Sequence, residues 1–234
     1  MRRLALGLVL LAAGCAAPPA PAVSPPAPAA VVVTFGDSVP AGSACGCTPF
    51  PELYAQRIGA GSDNLAEAGY TSLDVRRQLG TPKAEAAVRT ASVVLVMAGA
   101  NDLAAAFDTG AGSYTGPANQ VEQNVSAVVA EVHALSPAAA VVIFGYWNVV
   151  EDGDVGRSDY GDDGVAEAAA ATGLCNAALR RAAHGARYVD TTTALKGDSG
   201  EQDPTDLLAP DGDHPNAAGH RAIAAATLAI LPNG

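Results

Sequence analysis

Val31-Val32-Val33-Thr34-Phe35-Gly36-Asp37-Ser38-Val39 opens with an apolar, β-branched run and breaks at a glycine. A short continuous apolar run bounded by turn residues reads as a strand buried on both faces, which is the signature of a parallel sheet. Working outward, Ser92 to Ala98 and Ala140 to Tyr146 are runs of the same kind, Ala186 to Asp190 is a shorter one, and a weak strand near Asn64 to Ala66 makes five. Longer segments, many of them rich in alanine, lie between and after them. Those near Pro51 to Ile58, Pro117 to Leu135, Gly164 to Ala183 and Pro215 to Leu231 read as helices. Strands alternating with helices predict an α/β fold with a parallel sheet covered on both faces. Ligands of such sheets bind beyond the carboxyl ends of the strands, so the loops starting near Gly36, Gly69, Gly99, Trp147 and Thr191 are the ones to inspect.

The chain has 234 residues, 49% apolar and 16% charged, which suits one domain with a sizeable core. Its net charge is −11, and no cluster of Lys or Arg follows Arg2 and Arg3. That argues against nucleic acid and against docking on an anionic membrane through a basic patch. Met1-Arg2-Arg3 followed by the apolar run Leu4 to Ala13 reads as a secretion signal, too short to span a bilayer. Ala12-Ala13-Gly14-Cys15 has the small residues before cysteine of a bacterial lipobox, although Ala12 stands where leucine is usual. We therefore expect a signal peptide over 1–14, export to the cell envelope or beyond, and membrane attachment only through lipid on Cys15. Ordinary secretion with Cys15 incidental is the plainer alternative. Residues 15–30, rich in Pro and Ala, read as an extended linker, and 31–234 as the folded domain. Removal of the leader leaves a charge of −13 and three further cysteines, which cannot all pair within one chain; Cys175 with Cys45 or Cys47 is one option, and the connectivity is not readable from sequence.

Gly36-Asp37-Ser38 follows the first strand directly, where Asp and Ser commonly do no more than cap a helix. The same triplet recurs as Gly197-Asp198-Ser199 without a strong strand before it, so alone it says little. The α/β-hydrolase elbow Gly-x-Ser-x-Gly does not occur around Ser38. Gly99-Ala100-Asn101-Asp102 follows the strongest strand, where Asn101 makes a turn or offers an amide donor to an oxyanion. Gly69 is either a turn glycine or a backbone donor into the same crevice. Asp211-Gly212-Asp213-His214-Pro215 precedes the last helix. It is an acidic turn, or it pairs His214 with Asp211 so that the carboxylate fixes the imidazole tautomer. His133, His184 and His220 fall in helical patterns and read as surface or structural.

Taken in order, these four blocks resemble the SGNH hydrolase family, the GDSL esterases and lipases. The blocks are Phe35-Gly36-Asp37-Ser38-Val39, Asn64 to Gly69, Gly99 to Asp102, and Asp211 to Asn216. Val39 replaces the leucine of the family signature, and the match spans about residues 31–231. The resemblance implies a three-layer α/β/α sandwich with a five-stranded parallel sheet, flavodoxin-like in topology, with no cofactor and no metal. It implies that Ser38 is the nucleophile, His214 the general base and acid, and Asp211 its orienting carboxylate. The N–H groups of Ser38 and Gly69 and the side-chain amide of Asn101 form the implied oxyanion hole.

The family contains lipases, lysophospholipases, thioesterases and carbohydrate O-acetyl esterases. Scarce aromatics and the lack of a long apolar lid point to short acyl groups on a small-molecule or glycan alcohol, hydrolysed by a monomer. Trp147, the only tryptophan, reads equally as a wall of the substrate pocket or as core. Half of the acids lie in Glu151 to Asp163 and Asp198 to Asp213, read as two loops. If they line the entrance, their field disfavours anionic substrates. Two rivals of other classes remain. One is a non-catalytic flavodoxin-like binding lipoprotein. The other is a metallohydrolase using Asp211, Asp213, His214 and His220, which would have to converge across a helix start.

Overall fold

The computed structural model describes residues 30–109 and 113–231. The expected leader, Cys15 and the linker up to residue 29 lie outside the described residues. Five parallel strands form one sheet: β1 (Val31–Gly36), β2 (Gly61–Asn64), β3 (Val93–Met97), β4 (Ala140–Phe144) and β5 (Arg187–Val189), in the order β2-β1-β3-β4-β5. Every residue of β3 is fully buried, as a central strand flanked by two others and covered on both faces must be. The helices are α1 (Ser38–Ala41), α2 (Phe50–Ile58), α3 (Ser72–Leu79), α4 (Pro82–Thr90), α5 (Ala100–Asp108), α6 (Thr115–Leu135), α7 (Gly153–Ala182), α8 (Thr191–Lys196) and α9 (Ala217–Ile230). Helices α2, α8 and α9 pack as one layer, and α3 to α7 as the other, giving the α/β/α sandwich. None of the described helices is long and apolar enough to cross a membrane.

The strand order reverses direction between β1 and β3, which opens a crevice at their carboxyl ends. Gly36 closes β1 in a position that only glycine fits, because a Cβ there would overlap the Met97 carbonyl oxygen. The next amide, of Asp37, donates to that oxygen at 3.1 Å, so the chain turns into α1 while still attached to β3.

Two expectations need correction. The weak strand lies at Gly61–Asn64 instead of near Asn64 to Ala66. It is an edge strand with one neighbour and needs no apolar side chains, and the Asn64 Oδ1 accepts from the Ala66 amide at 3.1 Å to turn the chain where continuation was expected. Glu151 to Asp163 is largely helical, since α7 starts at Gly153. Asp152 caps it by accepting from the Gly153 amide at 2.8 Å, and Gly161 (φ 64°, ψ −177°) kinks it. Arg157 bridges Asp154 at 2.5 Å and Asp203 at 2.6 Å, joining the two acidic segments.

The cysteine pairing, open in the sequence, is answered among the described residues: the disulfide joins Cys45 to Cys47, and Cys175 is free and buried. Cys175 sits in α7 against Gly99, whereas Cys45 and Cys47 lie in the loop entering α2, in the other layer. A bridge to Cys175 would have constrained the unfolded chain by about 5 kcal/mol, and the observed three-residue ring by only about 1.6 kcal/mol.

Candidate active site

Three loops meet beyond β1, β2 and β3. The chain leaving β2 follows β1, with the Leu65 amide donating to the Thr34 oxygen at 2.8 Å and the Glu67 amide to the Gly36 oxygen at 3.0 Å. The loop continues to Gly69 (φ 82°), exposed in a left-handed turn with open space around its Cα. Asn101 stands in the first turn of α5, and its Nδ2 donates to the Tyr70 carbonyl at 2.9 Å, which ties the β3 loop to the Gly69 loop. The amide has a second hydrogen, which that bond leaves free. Asp102 braces the same junction by accepting from the Ser72 amide at 2.8 Å and the Ser72 hydroxyl at 2.7 Å; Asn124 in turn donates to that hydroxyl at 3.0 Å.

Ser38 is the first residue of α1, half-buried, and Asp37 caps the helix by accepting from the Val39 amide at 3.1 Å. Asp37 is only 1% exposed and shares a hydrogen bond with the buried Tyr146 hydroxyl. Burial pushes its carboxyl up to about 7, against the hydrogen bonds from Tyr146 and Val39 that favour ionisation.

His214 arrives from the far end of the chain. Its loop is pinned by the Ala209 amide donating to the His214 carbonyl at 2.7 Å and the Asp152 amide donating to the Gly212 carbonyl at 2.8 Å. Asn216 caps α9, and its Nδ2 holds the Asp206 and Leu208 carbonyls, each at 2.9 Å. The His214 Nδ1 lies 2.8 Å from Asp211 Oδ2, and Asp211 Oδ1 accepts from the Asp213 and His214 amides, both at 3.1 Å. Partial burial raises the Asp211 carboxyl, but the amides and the imidazole outweigh it and hold the group below its ordinary value. With Nδ1 turned to a carboxylate, the neutral ring carries its hydrogen there and presents a lone pair at Nε2. That Nε2 is buried and has no hydrogen-bond partner among the described residues, the Ser38 hydroxyl included.

A cavity of about 210 Å³ opens at this place, lined among others by Ser38, Asn101, Tyr146, Trp147, Glu151 and Asp213. Trp147 is 4% exposed, within the core, and it also lines the cavity. Of the acids in the two segments, Glu151 and Asp213 reach this cavity; burial lifts the Asp213 carboxyl, with Glu151 and Asp211 adding to the rise. The structure thus brings Ser38, Asn101 and Trp147 to one cavity. Gly69 lies on an adjoining loop tied to Asn101, and the Asp211–His214 pair sits beside it through Asp213. His220 stands apart from the acids of the rival metal set, with one ring nitrogen within 4.8 Å of the Cys45 and Cys47 sulfurs.

Two residues of the site escaped the sequence reading. Asp37 looked like a cap, and its burial against Tyr146, 109 residues away, has no local signal. Asp102 adjoins Asn101 in sequence, yet its work on Ser72 depends on the packing of α3 against α5 and α6.

Compared by sequence with curated proteins, the chain has no match. Among solved structures, it is similar to the lipase Lip_vut3 from a goat rumen metagenome, with a TM-score of 0.66 at 15% identity over 86% of this chain and 96% of that one. It is similar to phospholipase A1 from Streptomyces albidoflavus, with a TM-score of 0.63 at 20% identity over 87% and 100%. A catalytic mutant of an acetylxylan esterase from Geobacillus stearothermophilus aligns with a TM-score of 0.64 at 16% identity over 88% and 95%. These likenesses are of fold. The model of the GDSL-like lipase/acylhydrolase family matches residues 34–222, from the strand before Ser38 into the helix after His214, and the chain belongs to that family of ester-hydrolysing enzymes.

Proposed function

We propose that the chain hydrolyses carboxylic esters of short acyl groups through an acyl-enzyme on Ser38. The observation that carries this reading is the His214 ring, with Nδ1 held by Asp211 at 2.8 Å, Nε2 buried and unpartnered, and Asp213, 3.7 Å from Nδ1, in the wall of the cavity that Ser38 lines. A serine hydroxyl is a weak nucleophile until a base takes its proton as it attacks, and a free Nε2 lone pair is such a base. As the Ser38 oxygen bonds to the ester carbonyl carbon, its proton passes to His214, and Asp211 stabilises the imidazolium. The oxyanion is received by the N–H groups of Ser38 and Gly69 and the second amide hydrogen of Asn101. His214 then protonates the leaving alcohol, and water repeats the sequence on the acyl-enzyme.

Short acyl groups fit the space available. The cavity of about 210 Å³ lies below the ~300–1,000 Å³ usual for drug-sized ligands. Beyond the Gly69 loop, a wider opening of about 510 Å³ is lined by polar groups including Glu67, Tyr70, Asp74, Arg77 and Gln78, which suits a glycan alcohol. The acetylxylan esterase among the structural neighbours, as named, acts on such an ester, and that is the substrate class we favour. Glu151 and Asp213 in the cavity wall disfavour anionic acyl groups. Export, with lipid on Cys15, is the setting that the Met1 to Cys15 segment supports.

The test is hydrolysis of p-nitrophenyl esters from acetate to palmitate by the full chain beside Ser38→Ala. Activity on acetate and butyrate that disappears in the variant is expected. Equal trace activity in both proteins would remove Ser38 from the chemistry, and an optimum at ten carbons or more would overturn the short-acyl assignment.

A further inference from the structure

Asp37 precedes the nucleophile, and each of its polar groups is engaged. Its amide donates to the Met97 carbonyl at 3.1 Å, and its carbonyl accepts from the Ala41 amide at 3.2 Å. One carboxyl oxygen accepts from the Val39 amide at 3.1 Å, and the other accepts from the Tyr146 hydroxyl. Three of these partners are main-chain groups. The fourth is a side chain 109 positions away in the sequence. Tyr146 is itself held from two helices. Its amide donates to Asn176 Oδ1 at 2.8 Å, and its carbonyl accepts from Asn176 Nδ2 at 2.7 Å and from the Thr192 hydroxyl at 3.0 Å. These bonds fix the chain after β4 to α7 and α8, and Tyr146 is 1% exposed there.

What holds Asp37 also holds the Ser38 amide. The Ser38 N–H lies in the same planar peptide as the Asp37 carbonyl, and in a trans peptide the two point opposite ways. Turning the Asp37 carbonyl away from Ala41 therefore turns the Ser38 N–H with it. A helix cap needs only the bond to Val39, which serine or asparagine supplies without burying a charge. Burial pushes the Asp37 carboxyl up to about 7, with Asp213 adding to the rise, while Tyr146, Val39 and His214 work the other way. Perturbed carboxyls gather at functional sites, and this one adjoins the nucleophile.

We propose that Tyr146 and Asp37 are positioning residues for the oxyanion hole: the Tyr146 hydroxyl straps the Asp37 carboxyl to the chain after β4 and so holds the Asp37–Ser38 peptide in the orientation that lets its N–H receive the developing charge. The assignment rests on the reading of Ser38 as the nucleophile of an ester hydrolase. Asp37, Tyr146, Ser38 and Asn101 all line the one cavity, so the strap lies at the site it serves. An oxyanion gains more from a well-aimed donor than the ground-state carbonyl does. Loss of the strap therefore lowers kcat and spares KM.

Tyr146→Phe in the full chain removes the hydroxyl alone. On p-nitrophenyl acetate it should lower kcat by about tenfold or more, with KM within about threefold of the wild type. Propylboronic acid takes up a serine oxygen on boron and carries a hydroxyl toward the oxyanion position. Its inhibition constant should rise by about the factor by which kcat falls. Added to Asp37→Ala, Tyr146→Phe should change kcat by less than about twofold, because the hydroxyl then has no carboxyl to hold. Tyr54→Phe is the control for packing: Tyr54 is also fully buried, on α2, and its hydroxyl donates to the Leu231 carbonyl at 3.2 Å. That variant should lower Tm and leave kcat within about twofold of the wild type. Should Tyr146→Phe fail to fold, Asp37→Asn/Tyr146→Phe, which strands no buried charge, is held to the same kcat, KM and boronate criteria. Near-normal kcat in Tyr146→Phe would overturn the proposal. So would a loss carried in KM, a boronate constant that stays put while kcat falls, or full additivity with Asp37→Ala. Equal trace turnover in the wild type and Ser38→Ala would remove the ester reading and this assignment together. Ser38-dependent turnover that survives in Tyr146→Phe would remove this assignment alone.

Discussion

The triplet Gly-Asp-Ser occurs twice in this chain, at 36–38 and at 197–199, and the two copies live differently. The first follows a strand whose neighbours cover it, so Gly36 presses on the Met97 carbonyl, Asp37 is sealed against Tyr146, and Ser38 faces a cavity. The second follows the short helix α8 in an exposed turn. There the Gly200 amide donates to the Gly197 carbonyl at 2.9 Å, and the Ser199 hydroxyl accepts from the Glu201 amide at 3.3 Å. Three residues are a turn wherever they occur. A buried carboxyl and a hydroxyl that faces a cavity come from the carboxyl end of the sheet, above which the first copy sits.

The largest separation between the copies should be kinetic. Ser38→Ala should lower ester turnover on the order of ten-thousandfold or more, while Ser199→Ala leaves it unchanged; initial rates on p-nitrophenyl acetate measure both. A Ser199→Ala enzyme as weak as Ser38→Ala would erase the distinction.

The next concerns the two aspartates. The Asp37 carboxyl, raised to about 7 by burial, binds more protons folded than unfolded between about pH 4 and 7. Stability therefore falls as pH rises through that window and levels off above about pH 7, with a loss of about 3 kcal/mol between about pH 4.5 and pH 8. Urea unfolding of Asp37→Asn should show a pH dependence flatter by that amount, and Asp198→Asn should track the wild type. Parallel curves for all three proteins would mean that Asp37 is ionised throughout.

Asn101→Ala should reduce turnover about a hundredfold with little change in KM, because an oxyanion donor acts in the transition state. Near-normal turnover would take Asn101 out of the site. The smallest effect is expected near the second triplet, where Arg157 joins the exposed Asp154 and Asp203. Arg157→Ala should lower Tm by no more than about 2 °C, and the difference should vanish in molar salt. A larger, salt-resistant loss would show that the bridge between α7 and the acidic turn does more than a surface pair can.

Much of the fold was legible because buried parallel strands leave continuous apolar runs, and β1, β3 and β4 did so within a residue or two at each end. Gly61–Asn64 did not, since an edge strand paired on one side keeps polar residues in water. Helices α3, α4 and α5 went unread because each is short and shows little more than two apolar positions toward the sheet. The beginning of α7 hid behind its acids, which look like loop but are capped by Asp152 and interrupted at Gly161. The cysteine pairing was not legible for a topological reason: that Cys175 belongs to the opposite layer from Cys45 and Cys47 is set by the fold.

By itself the sequence determined the alternation of strand and helix and the family through four ordered blocks, and it nominated Ser38, Gly69, Asn101, Asp211 and His214. Each of these is a local matter, either of hydrophobic period or of side-chain chemistry at a fixed place after a strand. Tertiary structure alone decided that His214 faces Asp211 with its other nitrogen free, that Asp37 is buried on Tyr146, and that a ring nitrogen of His220 lies within 4.8 Å of the Cys45 and Cys47 sulfurs. Those facts depend on groups more than a hundred residues apart, or on the direction of a ring. Only packing that removes water and fixes a rotamer can set them.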